Sequence, residues 1–311
     1  MNGAALAAVD WGTSSFRLWL LDTNGAILAE RRGSEGMLVA GTEGFSAILE
    51  RYLADVGAPK DLRVIVCGMA GARQGWLEAP YVAVPANLDA ILAGAVSVPG
   101  SSREVRILPG LAQTDADAPD VMRGEETQLA GILPLFSQGR HLVCMPGTHS
   151  KWVETRDGVV GAFHTWLTGE LFALLATQSI LRHSLGGTVA ATAPDNPVFL
   201  NTCIRALGDG GDISPGLFRI RAATLLHDLQ PVDAAATLSG LLIGAEVASA
   251  RRVFEKSAEE IILVASGSLG LLYVTALKLA GCPVIQADAE QAVRTGLFEA
   301  ARRLGWVERA T

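Results

Sequence analysis

One pattern occurs twice in this chain and constrains its fold more than any other feature. Leu6 to Asp10 is an apolar run ending in a carboxylate; it passes through Gly12 and three consecutive hydroxyls, Thr13, Ser14 and Ser15, and a second apolar run follows from Arg17 to Asp22. A third run, Ala26 to Arg31, comes after the turn Thr23-Asn24-Gly25. Thr42 to Val56 then carries apolar residues at helical spacing, with Thr42 placed as an N-cap. The same order returns later. His141 to Met145 is apolar, Pro146-Gly147-Thr148-His149-Ser150 is a polar glycine turn, Lys151 to Thr155 and Val159 to Trp166 are strand-like, and a helix runs from Glu170 through Gln178. Two β-β-β-α units in one chain amount to a duplicated architecture. They predict an α/β protein, and 311 residues leave room for two domains of ordinary size.

Between and after these units the expected elements are simpler. Leu62 to Cys67 reads as a buried strand, Val105 to Leu108 as a short one, and Pro109 to Asp120 as a loop or hinge. A helix is expected from Glu125 to Phe136, an insertion or irregular helices from Arg182 to Gly216, and a helix from Ala234 to Phe254. Ile261 to Ala265 is a β-branched strand, and Ser266-Gly267-Ser268-Leu269-Gly270 turns into a helix reaching Ala280. Pro283 to Gln286 is the last strand, and a helix from about Glu290 to Leu304 closes the chain.

The net charge of −7 argues against nucleic acid or an anionic membrane as a partner. The N-terminus has no basic region before its apolar run, and no uninterrupted apolar stretch approaches the roughly eighteen residues of a membrane span. A cytoplasmic protein is therefore expected. Cys67, Cys144, Cys203 and Cys282 are far apart, with no Cys-x-x-Cys pair, so neither zinc nor a disulfide framework is indicated.

Polar glycine turns expose backbone N–H groups and hydroxyls that suit phosphate oxygens, and a carboxylate at the strand end, Asp10, suits Mg2+ held through water. An ordinary hairpin accounts for the first stretch equally well. Two acidic residues, Glu125 and Glu126, open the helix after Gly124, where a helix dipole alone would favour them.

Four tracts carry a family resemblance. Arg-Gly-Glu-Glu-Thr-Gln-Leu-Ala-Gly at 123 to 131 is followed by Met-Pro-Gly-Thr-His-Ser-Lys-Trp at 145 to 152; Cys-Gly-Met-Ala-Gly-Ala-Arg-Gln-Gly-Trp stands at 67 to 76, and His-Thr-Trp-Leu-Thr-Gly-Glu-Leu-Phe at 164 to 172. In this order and spacing they resemble the 2-dehydro-3-deoxygalactonokinase family, within the actin, Hsp70 and sugar kinase superfamily. That resemblance implies two RNase H-like (actin-like ATPase) domains around an interdomain nucleotide cleft. Residues 1–120 would form the sugar-binding side and 121–311 the nucleotide-binding side, with the last helix near the domain interface. It also implies ATP and Mg2+ as cofactors, and phosphorylation of the terminal hydroxyl of a 2-keto-3-deoxy sugar acid, here 2-dehydro-3-deoxygalactonate.

Carried onto this chain, the resemblance makes Asp10, Gly12, Thr13, Ser14 and Arg17 the first phosphate motif, with Asp10 on the metal. Gly147, Thr148 and His149 match the second motif, where related sugar kinases have Gly-Thr-Gly. Gly267 and Ser268 match the adenosine motif, although a Gly-Gly pair is more usual. Glu125 is the expected base, with Glu126 as the alternative because one glycine sets the register. Arg73, flanked by Trp76, is the candidate for the sugar carboxylate, Glu35 for hydroxyls, and His164 for a further substrate contact. For Arg73 a solvated loop position, and for His164 a structural pair with Trp166, fit the sequence as well. Lys151 either reaches phosphate or decorates an alternating strand. The expected partners are the sugar acid and ATP, with a homo-oligomer possible. An actin- or Hsp70-like ATPase and an exopolyphosphatase-type phosphatase are the alternatives within the superfamily.

Overall fold

The structure is a computed structural model, which describes residues 3–186, 192–209, 212–254 and 260–307. It divides into two compact units: Met1–Gln138 with Arg156–Ala162 and Ala289–Thr311, and Gly139–Thr155 with Phe163–Asp288. The boundary expected near residue 120 falls inside the first unit, and the C-terminal helix, Ala289–Arg303, is counted with that unit as well.

In the first unit, β1 (Leu6–Trp11), β2 (Phe16–Leu21) and β3 (Ile27–Gly33) form an antiparallel meander, with Asp10 opposite Arg17 across the first hairpin. β4 (Val64–Gly68) then joins β1 in parallel, and the six-stranded order is completed by a parallel strand at Val105–Ile107 and a short edge strand at Val96–Ser97. Strand alternation sends successive side chains to opposite faces. Val9, Trp11, Phe16 and Leu18 pack with Phe45, Ile48, Leu49 and Tyr52 on one side. Leu6, Ala8, Trp19 and Leu21 pack with Val293 and Leu297 of the C-terminal helix on the other. These side chains are almost fully buried, and a large apolar side chain so placed contributes about 1.5–3 kcal/mol.

Several expectations change here. Thr42 does not cap the helix: its hydroxyl donates to the Val39 carbonyl, within a separate helix α1 (Met37–Glu43). Gly44, at φ +94°, breaks the chain before α2 (Phe45–Asp55), a backbone angle that glycine adopts at little steric cost. The 109–120 segment is not a plain loop. Gly110–Gln113 and Asp120–Met122 pair with each other, and Tyr81–Ala83 adds a third strand. Asn87 caps the helix α3 (Leu88–Ala93), which the sequence reading passed over. The helix expected over 125–136 is two pieces, α4 (Glu125–Gly131) and α5 (Leu133–Phe136), because Pro134 has no N–H to continue the ladder. α4 lies tight against the C-terminal helix. A Cβ on Gly131 would meet the Ala292 carbonyl oxygen at 1.8 Å, and one on Gly296 the Thr127 oxygen at 1.9 Å. Two glycines thus fix where Glu125 and Glu126 stand.

The second unit repeats the plan. Its sheet runs from the edge strand at Val159–Trp166 through Ser150–Arg156 and Arg140–Met145 to Ile261–Val264 and Val284–Ala287, with the last three parallel; Arg156 and residues 159–162 of these strands are counted with the first unit. Both sheets therefore have the RNase H-like order, an antiparallel meander extended by parallel strands, as the duplication predicts. α6 (Thr168–Gln178) follows the meander. The 182–216 segment contains a regular helix, α7 (Pro197–Gly208), capped by Asn196, and leads into α8 (Ser214–His227); residues 187–191 and 210–211 lie outside the described residues. α9 (Pro231–Val253) and α10 (Gly267–Leu279) complete the unit. α9, with 23 residues, is long and apolar enough to cross a membrane by length and composition alone, although Asp233, Glu246, Arg251 and Arg252 interrupt its apolar run. It is a core helix, however: Ala236, Ile243, Val247 and Ala250 pack with Leu142, Cys144, Trp152 and Leu263 of the sheet.

Candidate active site

The first polar turn is held at its base and open at its tip. The Gly12 N–H donates to the Ser15 carbonyl at 2.8 Å, and the Met37 N–H donates to the Gly12 carbonyl at 2.9 Å. Gly36 lets the start of α1 come this close, since a Cβ there would stand 2.3 Å from the Thr13 oxygen and 2.5 Å from the Ser14 Cα. Thr13, Ser14 and Ser15 remain exposed. At the strand end Asp10 accepts from Arg17 Nη2 at 2.6 Å, and Cys67 Sγ lies 3.8 Å from its other oxygen. Arg17 also stands 3.8 Å from Glu290. Burial raises the Asp10 pKa, and the Arg17 guanidinium only partly offsets that. Gly68, at φ +86°, leaves room beside Asp10: a Cβ there would be 2.6 Å from the Trp11 carbonyl and 3.4 Å from Asp10 Oδ1.

Gly124, at φ +108°, opens α4 with a backbone that a side chain would strain, and both acidic residues fold back from it. Glu125 Oε2 accepts the Arg123 N–H at 3.1 Å, and Glu125 is half-buried. Glu126 is fully buried; Oε2 accepts the Gly124 N–H at 2.6 Å and Oε1 the Thr127 hydroxyl at 2.9 Å. Its two oxygens are thus committed to the helix start. Burial, with a smaller contribution from Glu125, pushes its pKa up to about 8.

That shift has a stability consequence. Between the ordinary value near 4.5 and about 8 the native state holds a proton that the unfolded chain has lost, so stability falls as pH rises across this window. In Glu126→Gln the amide oxygen can accept from Gly124 and the amide N–H can donate to Thr127, so both bonds survive without the titration. Urea unfolding at pH 5, 6, 7 and 8 should show the variant gaining on the wild type by up to about 1.4 kcal/mol per pH unit. Parallel stability curves would contradict the assignment.

In the second unit the turn at Pro146 to His149 is approached by the start of α6. A Cβ on Gly169 would lie 2.4 Å from the Gly147 oxygen and 2.8 Å from the Thr148 Cα, and the Glu170 N–H donates to the Thr148 carbonyl at 2.9 Å. Where related kinases have a glycine, His149 Nε2 lies 2.5 Å from Glu170 Oε2, with both groups at the surface. Beside this turn is a cavity of about 260 Å3. Gly147, Thr168 and Gly169 line one side, Ser268, Leu269 and Leu272 of α10 another, and Ser239, Leu242 and Ile243 of α9 a third. An apolar slot with a few hydroxyls at its edge suits a nucleoside. The structure thus gathers Gly147 and Ser268 around one space. Ser239, Leu242, Leu272 and Tyr273 were missed; their helical spacing marks them only as buried faces.

The remaining candidates are placed differently. Both Glu35 oxygens are engaged, one by the Tyr52 hydroxyl at 2.8 Å and the other by Arg51 at 2.8 Å, and the Tyr52 bond leads in lowering its pKa. Its backbone carbonyl accepts from Trp11 Nε1. Trp76 is half-buried, with its ring stacked on Phe45 at 6.0 Å and edge-on to Trp11. Arg73 is exposed in the same unit. His164 belongs to the second unit, between Trp166 at 6.2 Å and Phe254 at 5.4 Å, which is the structural pairing that the sequence left open. Arg123 had not been singled out. Its guanidinium lies 4.4 Å from the Tyr81 ring centre and donates to the Ala79 carbonyl, next to the backbone N–H that Glu125 accepts.

Comparison with known proteins agrees with this architecture. A family profile described as 2-keto-3-deoxy-galactonokinase matches residues 10–300. A Rhizobium meliloti (strain 1021) protein named "Probable 2-dehydro-3-deoxygalactonokinase" is 50% identical over 298 residues, covering 96% of this chain and 97% of that one. The Escherichia coli (strain K12) 2-dehydro-3-deoxygalactonokinase is 35% identical over 294 residues, covering 94% and 96%. A crystal structure from Sinorhizobium meliloti, assigned provisionally to the same activity, superposes with a TM-score of 0.92 at 50% identity, covering 96% of this chain and 99% of that one. With a match across nearly its whole length and 35–50% identity to these relatives, this chain belongs to the 2-keto-3-deoxy-galactonokinase family.

Proposed function

We propose that this chain transfers the γ-phosphoryl group of ATP to the terminal hydroxyl of 2-dehydro-3-deoxygalactonate, giving the 6-phosphate in galactonate catabolism. The observation that carries the reading is a phosphate-type turn in each unit, the second beside a nucleoside-sized cavity. Family membership supports the choice of acceptor. The second unit takes the nucleotide: adenosine against Gly267, Ser268 and the α9 and α10 side chains, and phosphates at Gly147, Thr148 and His149. The first unit supplies Gly12, Thr13, Ser14 and Arg17 for phosphate, and Arg73, Trp76 and Glu35 for the sugar acid, a guanidinium being suited to its carboxylate.

Phosphoryl transfer asks a protein mainly to position and to neutralise charge. Mg2+ fits the donors present. Asp10 is a hard oxygen ligand, and among the described residues no group of three His, Cys, Asp or Glu forms a protein cage. Mg2+ bound through one carboxylate, water and substrate phosphates needs no such cage. When bound, it offsets the charge of the phosphates. Glu125 accepts the proton from the attacking hydroxyl; Glu126, which is buried and doubly bonded, holds the helix start.

A coupled ADP-release assay with 2-keto-3-deoxy acids, aldonates and plain sugars tests this. ADP release should depend on the acceptor and be fastest with 2-dehydro-3-deoxygalactonate. ATP hydrolysis at one rate with and without every acceptor would replace the kinase reading with an ATPase. Phosphate release from polyphosphate alone would point to the phosphatase.

A further inference from the structure

The strand after the second turn, Ser150–Arg156, carries a cation whose position the turn alone does not explain. Lys151 is 5% exposed, and among the described residues it has no hydrogen-bond or ion-pair partner. Its strand neighbours face one way: Trp152 Nε1 donates to Glu246 at 2.8 Å, and the Ser150 hydroxyl is 3.0 Å from the Tyr273 hydroxyl. Alternation then puts Lys151 on the opposite face, away from the Glu246 carboxylate. The other acids of this neighbourhood are committed elsewhere, Glu154 to Arg140 and Glu170 to His149. Its stem is therefore packed while its ammonium meets no carboxylate, which leaves three donors for an anion.

The first unit shows what such a position does when it has a partner. Arg17 is the second residue of the strand after the first turn, as Lys151 is of the strand after the second. Arg17 is neutralised by Asp10 at 2.6 Å; Lys151 has no such carboxylate. The duplication has therefore kept a basic residue behind each turn but paired only one of them.

We propose that Lys151 is a phosphate-binding residue, its ammonium contacting the nucleotide phosphates at the second turn. The assignment rests on the nucleotide reading above and adds a residue to it. A lysine serves here as a mobile point charge with three donors, not as a fixed fork, and so can follow a phosphate oxygen. Lys151→Met keeps the buried stem and removes the charge.

The test is titration calorimetry of wild type, Lys151→Met and Lys151→Arg with ADP, a non-hydrolysable ATP analogue and adenosine. The methionine variant should bind both phosphorylated ligands on the order of 30-fold more weakly, as expected for truncating one partner of a desolvated charge pair. Adenosine, which lacks phosphate, should bind as in the wild type, and the arginine variant should recover most of the loss. Unchanged ADP and analogue binding in Lys151→Met, or an equal loss of adenosine, would overturn the assignment. The wild type failing to phosphorylate any sugar acid would count against the proposed function alone, since this comparison requires no acceptor.

Discussion

Replacing Glu125 by Gln is expected to lower kcat by about 10³-fold while ATP affinity stays within about threefold of the wild type. The two adjacent acids divide by environment. Glu126 has both oxygens bonded within the helix start and is fully buried, so it cannot meet a hydroxyl without unmaking α4. Glu125 is half-buried, and the Arg123 N–H at 3.1 Å orients it. Glutamine keeps the shape and the acceptor for that N–H but is no base, so the chemical step suffers and binding does not. Single-turnover kinetics and equilibrium ATP binding on the same variant separate the two. A nearly silent Glu125→Gln beside a crippled Glu126→Gln would reverse the roles.

What the sequence made legible was local. Both hairpins, with their four-residue polar stretches and apolar flanks, could be read because strand alternation and glycine turns act over a few residues. The strands at Gly110–Gln113 and Asp120–Met122 were hidden because three or four residues cannot display a period. Thr42 looked like a cap because its neighbours have helical spacing, and only the Gly44 backbone showed that the helix begins later. The cavity was hidden for a different reason: Gly147, Thr168, Ser239 and Leu272 come from four separate elements, and no window of sequence contains them. Glu246 lies in an otherwise apolar helix, where it reads as a flaw; the structure makes it the acceptor for Trp152 and for Tyr273 at 2.6 Å. Lys151 stood inside the 145–152 tract with two readings open, and its burial favours the phosphate one over a strand ornament.

Asp10→Asn should be the second most damaging change, lowering kcat/KM by about 10²-fold and raising the Mg2+ concentration for half-maximal rate by a similar factor. Only one of the two carboxylate oxygens is held by an ion pair. One oxygen accepts from Arg17 at 2.6 Å, and the other faces the space that Gly68 keeps clear. Asparagine can still accept from Arg17 through its amide oxygen, so the hairpin register should survive and thermal unfolding should shift little. What is lost is the negative charge that a hydrated cation requires. The pH dependence supplies a second readout. Burial raises the Asp10 pKa, so its charge disappears on acidification at a higher pH than for an ordinary aspartate. In the wild type the Mg2+ requirement should therefore rise as pH is lowered, and in Asp10→Asn that pH dependence should be absent. An asparagine variant with the wild-type Mg2+ requirement and pH response would place the metal on other groups and leave Asp10 as the structural partner of Arg17.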